Sequence, residues 1–208
     1  MAERYVITLG RECGAGATYI AQHLSKELGI PYYDKDIFRM VSDKSGVLEE
    51  FFHVNSERPG NNLLYKLVKD LKPADQKPSL GKDIVSPDNL FRFQSELIRE
   101  LADNESCIII GRCADYVLKD HDNCVHVFVC GDMDSKVQRM MHSYSLEESA
   151  AVERIKETDK QRKKYYSYYT GGDWEAASNY DLCLNTGTMT IEEAAEQILF
   201  YLKQKKYI

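Results

Sequence analysis

The chain of 208 residues has no apolar run approaching the roughly 20 residues that span a bilayer. Its first residues, Met1 to Ile7, include no apolar signal region of sufficient length. These two absences predict a cytoplasmic protein with no membrane partner. Positive charge is also short: 27 Lys and Arg against 33 Asp and Glu give a net charge of −6, with a pI of about 5.5. A surface built to neutralise nucleic-acid phosphates needs the opposite balance, so nucleic acid is not an expected partner. Cys13, Cys107, Cys113, Cys124, Cys130 and Cys183 form no Cys-x-x-Cys pair, and several sit inside apolar runs where cysteine acts as a small hydrophobe, so no metal cluster is expected. The five histidines are scattered, without ligand spacing or a partnered nucleophile. Proline is scarce and uneven. Pro59, Pro73, Pro78 and Pro87 fall between 55 and 87, around the Gly60-Asn61-Asn62 turn signal and a short helical pattern at 63–71. That stretch reads as an inserted, mobile segment covering about 44–89.

What is present is ordinary globular material: 43% hydrophobic and 29% charged residues, in a length that suits one well-buried core and not two full domains. Apolar or β-branched runs at 5–9, 30–33, 107–110, 125–129 and 182–184 read as buried strands. Helical periodicity fills the intervals at 18–28, 35–43, 90–102, 134–142, 146–168 and 191–205. Alternation of this kind predicts an α/β protein whose five-stranded parallel sheet carries helices on both faces. Two helix starts carry a capping box: Ser145 with Glu148, and Thr190 with Glu193.

The first strand runs through Gly10-Arg11-Glu12-Cys13-Gly14-Ala15-Gly16-Ala17-Thr18 straight into a helix. Glycines let the backbone wrap around phosphate oxygens, and the unpaired amides and dipole of the helix start attract negative charge. Cys13, Gly14, Ala15, Gly16, Ala17 and Thr18 are therefore the candidate donor-binding residues. Against the pattern G-x-x-x-x-G-K-[ST], Gly16 takes the second glycine and Thr18 the Mg²⁺-binding hydroxyl, while Ala17 replaces the lysine and Arg11 the first glycine. Arg11, Arg112 and Arg162 are the candidates for the missing positive charge. Two other readings stay open. One is a structural turn that binds nothing. The other is a dinucleotide fingerprint, with Asp34 as the ribose acid, although Tyr19 stands where the third glycine belongs. Gly111-Arg112 follows the apolar strand 107–110, which puts a guanidinium fork suited to phosphate at the carboxyl edge of the sheet.

Several segments taken together resemble, in content, order and spacing, the cytidylate-kinase-like family of P-loop proteins, itself similar to bacterial cytidylate kinases. The likeness extends over nearly the whole chain. Its carriers are the phosphate loop, Leu28-Gly29-Ile30-Pro31-Tyr32-Tyr33-Asp34-Lys35, Gly111-Arg112-Cys113-Ala114-Asp115, Asp159-Lys160-Gln161-Arg162, Tyr165-Tyr166, Tyr169-Thr170-Gly171 and Tyr180-Asp181-Leu182-Cys183-Leu184-Asn185. The resemblance implies a three-layer nucleoside-monophosphate-kinase-like fold and transfer of the γ-phosphoryl group of ATP, with Mg²⁺, to a nucleoside monophosphate, CMP or dCMP first. It implies that Asp34 and Arg92 sit in the monophosphate region, that Asp181 reads cytosine, and that 145–174 is a lid whose Arg162 closes over the donor. Family members carry an aspartate directly after the arginine of Gly111-Arg112, where this chain has Cys113, and Asp115 is the candidate to compensate.

Each assignment has a structural counterpart: a helix N-cap for Asp34, a solvated helix face for Arg92 and for the basic run at 156–164, and a turn acid for Asp181. The tyrosines at 165, 166, 168 and 169, with Trp174, read first as packing. Ala17, and Ile110 where an acid commonly ends the strand, keep open a nucleotide-binding sensor or partner-binding protein without turnover. A monomer or weak homodimer is expected.

Overall fold

The computed structural model describes residues 4–47, 49 and 86–208. Five strands, β1 (Val6–Arg11), β2 (Tyr32–Tyr33), β3 (Cys107–Ile110), β4 (Cys124–Cys130) and β5 (Leu182–Asn185), form one parallel sheet in the order β2-β3-β1-β4-β5. The order differs from the 3-2-1-4-5 of dinucleotide-binding sheets, because β3 and not β2 lies beside β1. The helices are α1 (Ala17–Leu28), α2 (Asp36–Ser45), α3 (Pro87–Asn104), α4 (Ala114–Val117), α5 (Met133–Tyr144), α6 (Glu148–Thr170) and α7 (Ile191–Gln204). The five expected strands and six expected helices are all present, with ends shifted by a few residues, and short α4 adds one turn after β3. Most of the segment at 44–89, including the helical pattern at 63–71, lies outside the described residues.

Alternation along the strands makes the two faces. Ile7, Leu9, Ile108, Ile110, Val127 and Val129 point to one side and bury Ile20 and Leu24 of α1 with Ile198 and Leu202 of α7. Val6, Cys107 and Ile109 point to the other and cover Ile37, Phe38 and Val41 of α2 with Leu97 and Ile98 of α3. Each buried aliphatic side chain contributes about 1.5–3 kcal/mol of transfer free energy, so these two layers fix the register of the strands whose carboxyl ends carry the site.

The capping box at Thr190 is formed: its hydroxyl accepts from Glu193 N–H at 3.1 Å, and Glu193 accepts the Thr190 amide at 2.7 Å. The one expected at Ser145 is not. Ser145 has φ 51° and ends α5 in the left-handed region, and α6 begins at Glu148 with Glu147 preceding it. The short α5–α6 link consumes Ser145 as a helix stop before it can serve as a helix start.

Candidate functional site

β1 delivers the chain into the loop at Arg11, and Gly14 (φ 79°) and Gly16 (φ 87°) turn it through the left-handed region that side-chain-bearing residues avoid. Space imposes the same choice. A Cβ on Gly14 would come within 2.9 Å of the Lys136 carbonyl, and one on Gly16 within 2.5 Å of Ile191 Cδ1. Gly16 is the residue before α1 and offers no side-chain cap. Of the loop amides, Cys13 N–H donates to Asp159 Oδ1 at 2.6 Å and Ala15 N–H to the Glu12 carbonyl at 3.3 Å. Among the described residues the N–H groups of Gly14, Gly16, Ala17 and Thr18 meet no acceptor in the chain. Unused donors at a helix start, with its positive dipole end, form an anion site.

These amides border a cleft of about 530 Å³. Among the described residues, five arginines (Arg11, Arg112, Arg139, Arg154, Arg162) and Lys35 line it against two carboxylates, Glu12 and Asp34. In a chain of net charge −6 that local excess is selective for an anion. Arg112 stands on three consecutive residues with positive φ, Gly111 (70°), Arg112 (63°) and Cys113 (54°). Backbone held in that region costs about 1–2 kcal/mol per non-glycine residue, and here it aims a guanidinium at the cleft. Arg112 lies 3.7 Å from Asp34 Oδ1 and 4.0 Å above the Phe38 ring, and its carbonyl accepts from Gln94. Arg11 lies 3.7 Å from the same Asp34 oxygen. Asp34 thus holds two arginines of two strand ends in one place, and the residue before α2 is Lys35 and not Asp34.

From the far side, α6 brings Arg162, whose Nη1 donates to the Arg11 carbonyl at 3.3 Å and lies 4.0 Å from Asp159. Behind Arg11 and Arg112 is a hollow of about 40 Å³ bordered by Asp115, Tyr165, Tyr166 and Trp174. Asp115 is 7% exposed, and Tyr166 donates to its Oδ2 at 2.7 Å. Burial pushes the Asp115 carboxyl above its ordinary value, against the lowering effect of the Tyr166 hydrogen bond. The aromatic cluster is packing, with Phe91 stacked on Tyr169 at 4.0 Å and Trp174 edge-on to Phe128 at 5.3 Å.

The fold therefore brings together the loop, Asp34, Arg11, Arg112, Asp115 and Arg162. Two candidates lie elsewhere. Asp181 accepts from His126 N–H at 2.8 Å and from the Tyr201 hydroxyl at 3.0 Å. His126 pairs with Thr8, three residues before Arg11 pairs with Val129, so Asp181 sits about 10 Å back from the carboxyl edge and outside the cleft lining. Arg92 lies on α3, 3.8 Å from Glu96 and over the Phe93 ring at 5.4 Å, also outside that lining. The Thr18 hydroxyl is exposed at the cleft, and among the described residues no group of three or more His, Cys, Asp or Glu is placed to hold a metal ion. No helix among the described residues is long and apolar enough to cross a membrane.

Four further residues at the site are not among the sequence candidates. Lys136, 6% exposed on α5, lies 2.9 Å from Glu12 and 3.5 Å from Asp159. Arg139, one turn on, donates from Nη1 to the Gly14 carbonyl at 2.9 Å and from Nη2 to the Thr186 carbonyl. Thr186 Oγ1 donates to the Ala15 carbonyl at 2.8 Å. Glu12 accepts Gly131 N–H at 3.1 Å. A charged pair spaced i, i+3 behind the Asp132 cap was the visible hint for Lys136 and Arg139.

The chain resembles known proteins in both sequence and fold. The chain is 24% identical to a cytidylate kinase of Methanobrevibacter smithii over 95% of its own length and 98% of that protein's. Its fold matches the crystal structure of an uncharacterized protein from Eubacterium ventriosum at a TM-score of 0.69 and 26% identity, covering 96% and 99% of the two chains. A shikimate kinase of Bacteroides thetaiotaomicron shares the fold at a TM-score of 0.54 and 13% identity, covering 96% and 98%. The sequence model of the Cytidylate kinase-like family matches residues 6–188, which include every strand and the whole phosphate loop. The chain belongs to the Cytidylate kinase-like family.

Proposed function

We propose that this protein is a kinase that moves the γ-phosphoryl group of ATP to a nucleoside monophosphate, with CMP or dCMP as the first acceptor. The observation that carries the reading is the set of unused amides at Gly14, Gly16, Ala17 and Thr18, opening onto a cleft rimmed by arginines. The amides cradle the donor phosphates, and the Thr18 hydroxyl, exposed beside them, would hold Mg²⁺, which offsets charge on the β- and γ-phosphates when bound. Arg11, Arg112 and Arg162 approach from three different elements and spread the charge that develops on the transferring group. Asp34 keeps two of those guanidiniums fixed before substrate arrives, so little reorganisation is needed at the moment of transfer. Catalysis of this kind is positioning plus electrostatics, and no general base is required.

A second reading, a nucleotide sensor without turnover, is favoured by Ala17 and by Ile110, a fully buried aliphatic residue at the end of β3. Calorimetric titration with ATP and CMP, followed by an ADP-release assay across the nucleoside monophosphates, separates the two. Turnover with CMP, lowered by about 10²–10³-fold in Arg112→Ala, supports the kinase. Binding without turnover for any acceptor supports the sensor, and failure to bind any triphosphate removes both.

A further inference from the structure

We propose that Arg139 supplies, from α5, the positive charge that the phosphate loop lacks at position 17, and that it binds the phosphates of the donor nucleotide. The inference rests on reading the loop as the donor site. Ala17 is 3% exposed and ends in a methyl group where the loop pattern has an ammonium. Most other cations near the loop are already matched by carboxylates: Arg11 and Arg112 by Asp34, Lys136 by Glu12 and Asp159, Arg162 by Asp159. Arg154 is exposed and stands over the Tyr144 ring at 4.5 Å.

Arg139 differs from all of these. Among the described residues no carboxylate lies within ion-pair distance of it, and Asp132 acts on it only from further away. Its two hydrogen bonds, to the carbonyls of Gly14 and Thr186, go to neutral acceptors and leave its charge uncancelled. Its stem passes 3.8 Å from the place of a Cβ on Gly16, the residue before Ala17, and its head 3.7 Å from that on Gly131. The guanidinium therefore crosses the loop next to the vacant lysine position and borders the cleft. Burial pushes its pKa down, the direction expected for a half-buried cation without a counter-ion. A guanidinium has five N–H donors, and two carbonyls engage only two of them, so the remainder are available for a phosphate oxygen.

The test uses the full chain. ATP, ADP and AMP are titrated calorimetrically into the wild type, Arg139→Gln, Arg139→Lys and the double variant Ala17→Lys/Arg139→Gln, with thermal melts alongside. Glutamine keeps a donor for the loop and removes the charge, so ATP affinity should fall by about 10- to 100-fold, the value of a charge-assisted contact, with little change for AMP. Arg139→Lys should stay near wild type, and Ala17→Lys should recover part of the loss. Unchanged ATP affinity in Arg139→Gln, equal losses for ATP and AMP, or an Arg139→Lys as weak as the glutamine variant would each overturn the assignment while leaving the loop as the donor site. A wild type that binds no ATP overturns the loop reading itself, and the assignment with it.

Discussion

The Asp159 carboxylate accepts the backbone N–H of Cys13 at 2.6 Å, joining positions 146 residues apart in the chain. The same carboxylate lies 3.5 Å from the Lys136 ammonium, which is 2.9 Å from Glu12 on the other side of the loop. Helix α6 is thereby fastened to the phosphate loop at Cys13, while the amides of Gly14, Gly16, Ala17 and Thr18 meet no acceptor among the described residues. The latch and the anion site are neighbours and do not compete for the same donors.

Removing the latch should loosen both. In Asp159→Ala the Cys13 amide loses its acceptor and buried Lys136 loses one of two counter-charges, so stability should drop by about 1–3 kcal/mol. Asp159→Asn keeps an oxygen for Cys13 and should lose less. Urea unfolding of the two variants checks the order. An Asp159→Ala midpoint equal to that of the wild type would mean that the contact contributes nothing.

Much of this arrangement is legible in the sequence. Apolar runs bounded by turn residues locate the five described strands, and strand–loop–helix order places Gly14 and Gly16 at the turn into α1. Asp34 and Arg112 can be placed at one sheet edge because each falls within two residues of a strand end. What could not be read depends on contacts across the fold. Thr186 meets Ala15 over 171 positions and Arg139 meets Gly14 over 125, and neither spacing leaves a periodic trace. Asp181 directly precedes β5, and its depth is set by the β4–β5 register, which places it beside His126 and not at the carboxyl edge. Ser145 shows a local signal overruled by its neighbour, since a four-residue motif cannot tell whether the preceding helix has already claimed the residue.

Gly111→Ala should disable the arginine pair while leaving the loop from Gly14 to Thr18 in place. A methyl on Gly111 would land on the Arg11 guanidinium, and φ of 70° already disfavours any Cβ there. Displacing Arg11 by about an ångström should cost roughly 10²-fold in kcat, with ATP affinity near wild type. Steady-state kinetics with calorimetry decides, and a normal kcat would show that the placement of Arg11 does not matter to transfer.

Asp115 should leave a signature in the pH dependence of stability. Its carboxyl is held above the ordinary value of 3.8 in the folded chain, chiefly by burial, so between that value and its raised one the folded state binds more protons than the unfolded state. Its contribution is therefore fully favourable below about pH 3.8 and is lost as pH rises through the raised pKa. Relative to Asp115→Asn, which cannot titrate, the wild type should lose stability as pH rises across that window. Denaturation curves measured on both proteins from acid to neutral pH give the difference directly, and a difference that does not vary with pH would place the Asp115 pKa at its unfolded value.

Thr186 sets the direction of one amide that the site needs. Its hydroxyl donates to the Ala15 carbonyl at 2.8 Å in a buried contact. In a planar trans peptide the carbonyl and the following N–H point opposite ways, so anchoring the Ala15 oxygen turns the Gly16 N–H toward the cleft. Valine has the same shape and no hydroxyl. The Cys130 carbonyl, which shares that hydroxyl, still accepts the Thr186 backbone N–H, so the Ala15 oxygen is the group left bare. Thr186→Val should cost about 1–3 kcal/mol of stability for the unpaired buried carbonyl and weaken ATP binding as the Gly16 amide loses its bearing. Thr186→Ser, which restores the hydroxyl, should recover both together. Recovery of stability without recovery of ATP affinity would separate the anchor from the amide and show that the Gly16 N–H is aimed by the φ of Gly16 alone.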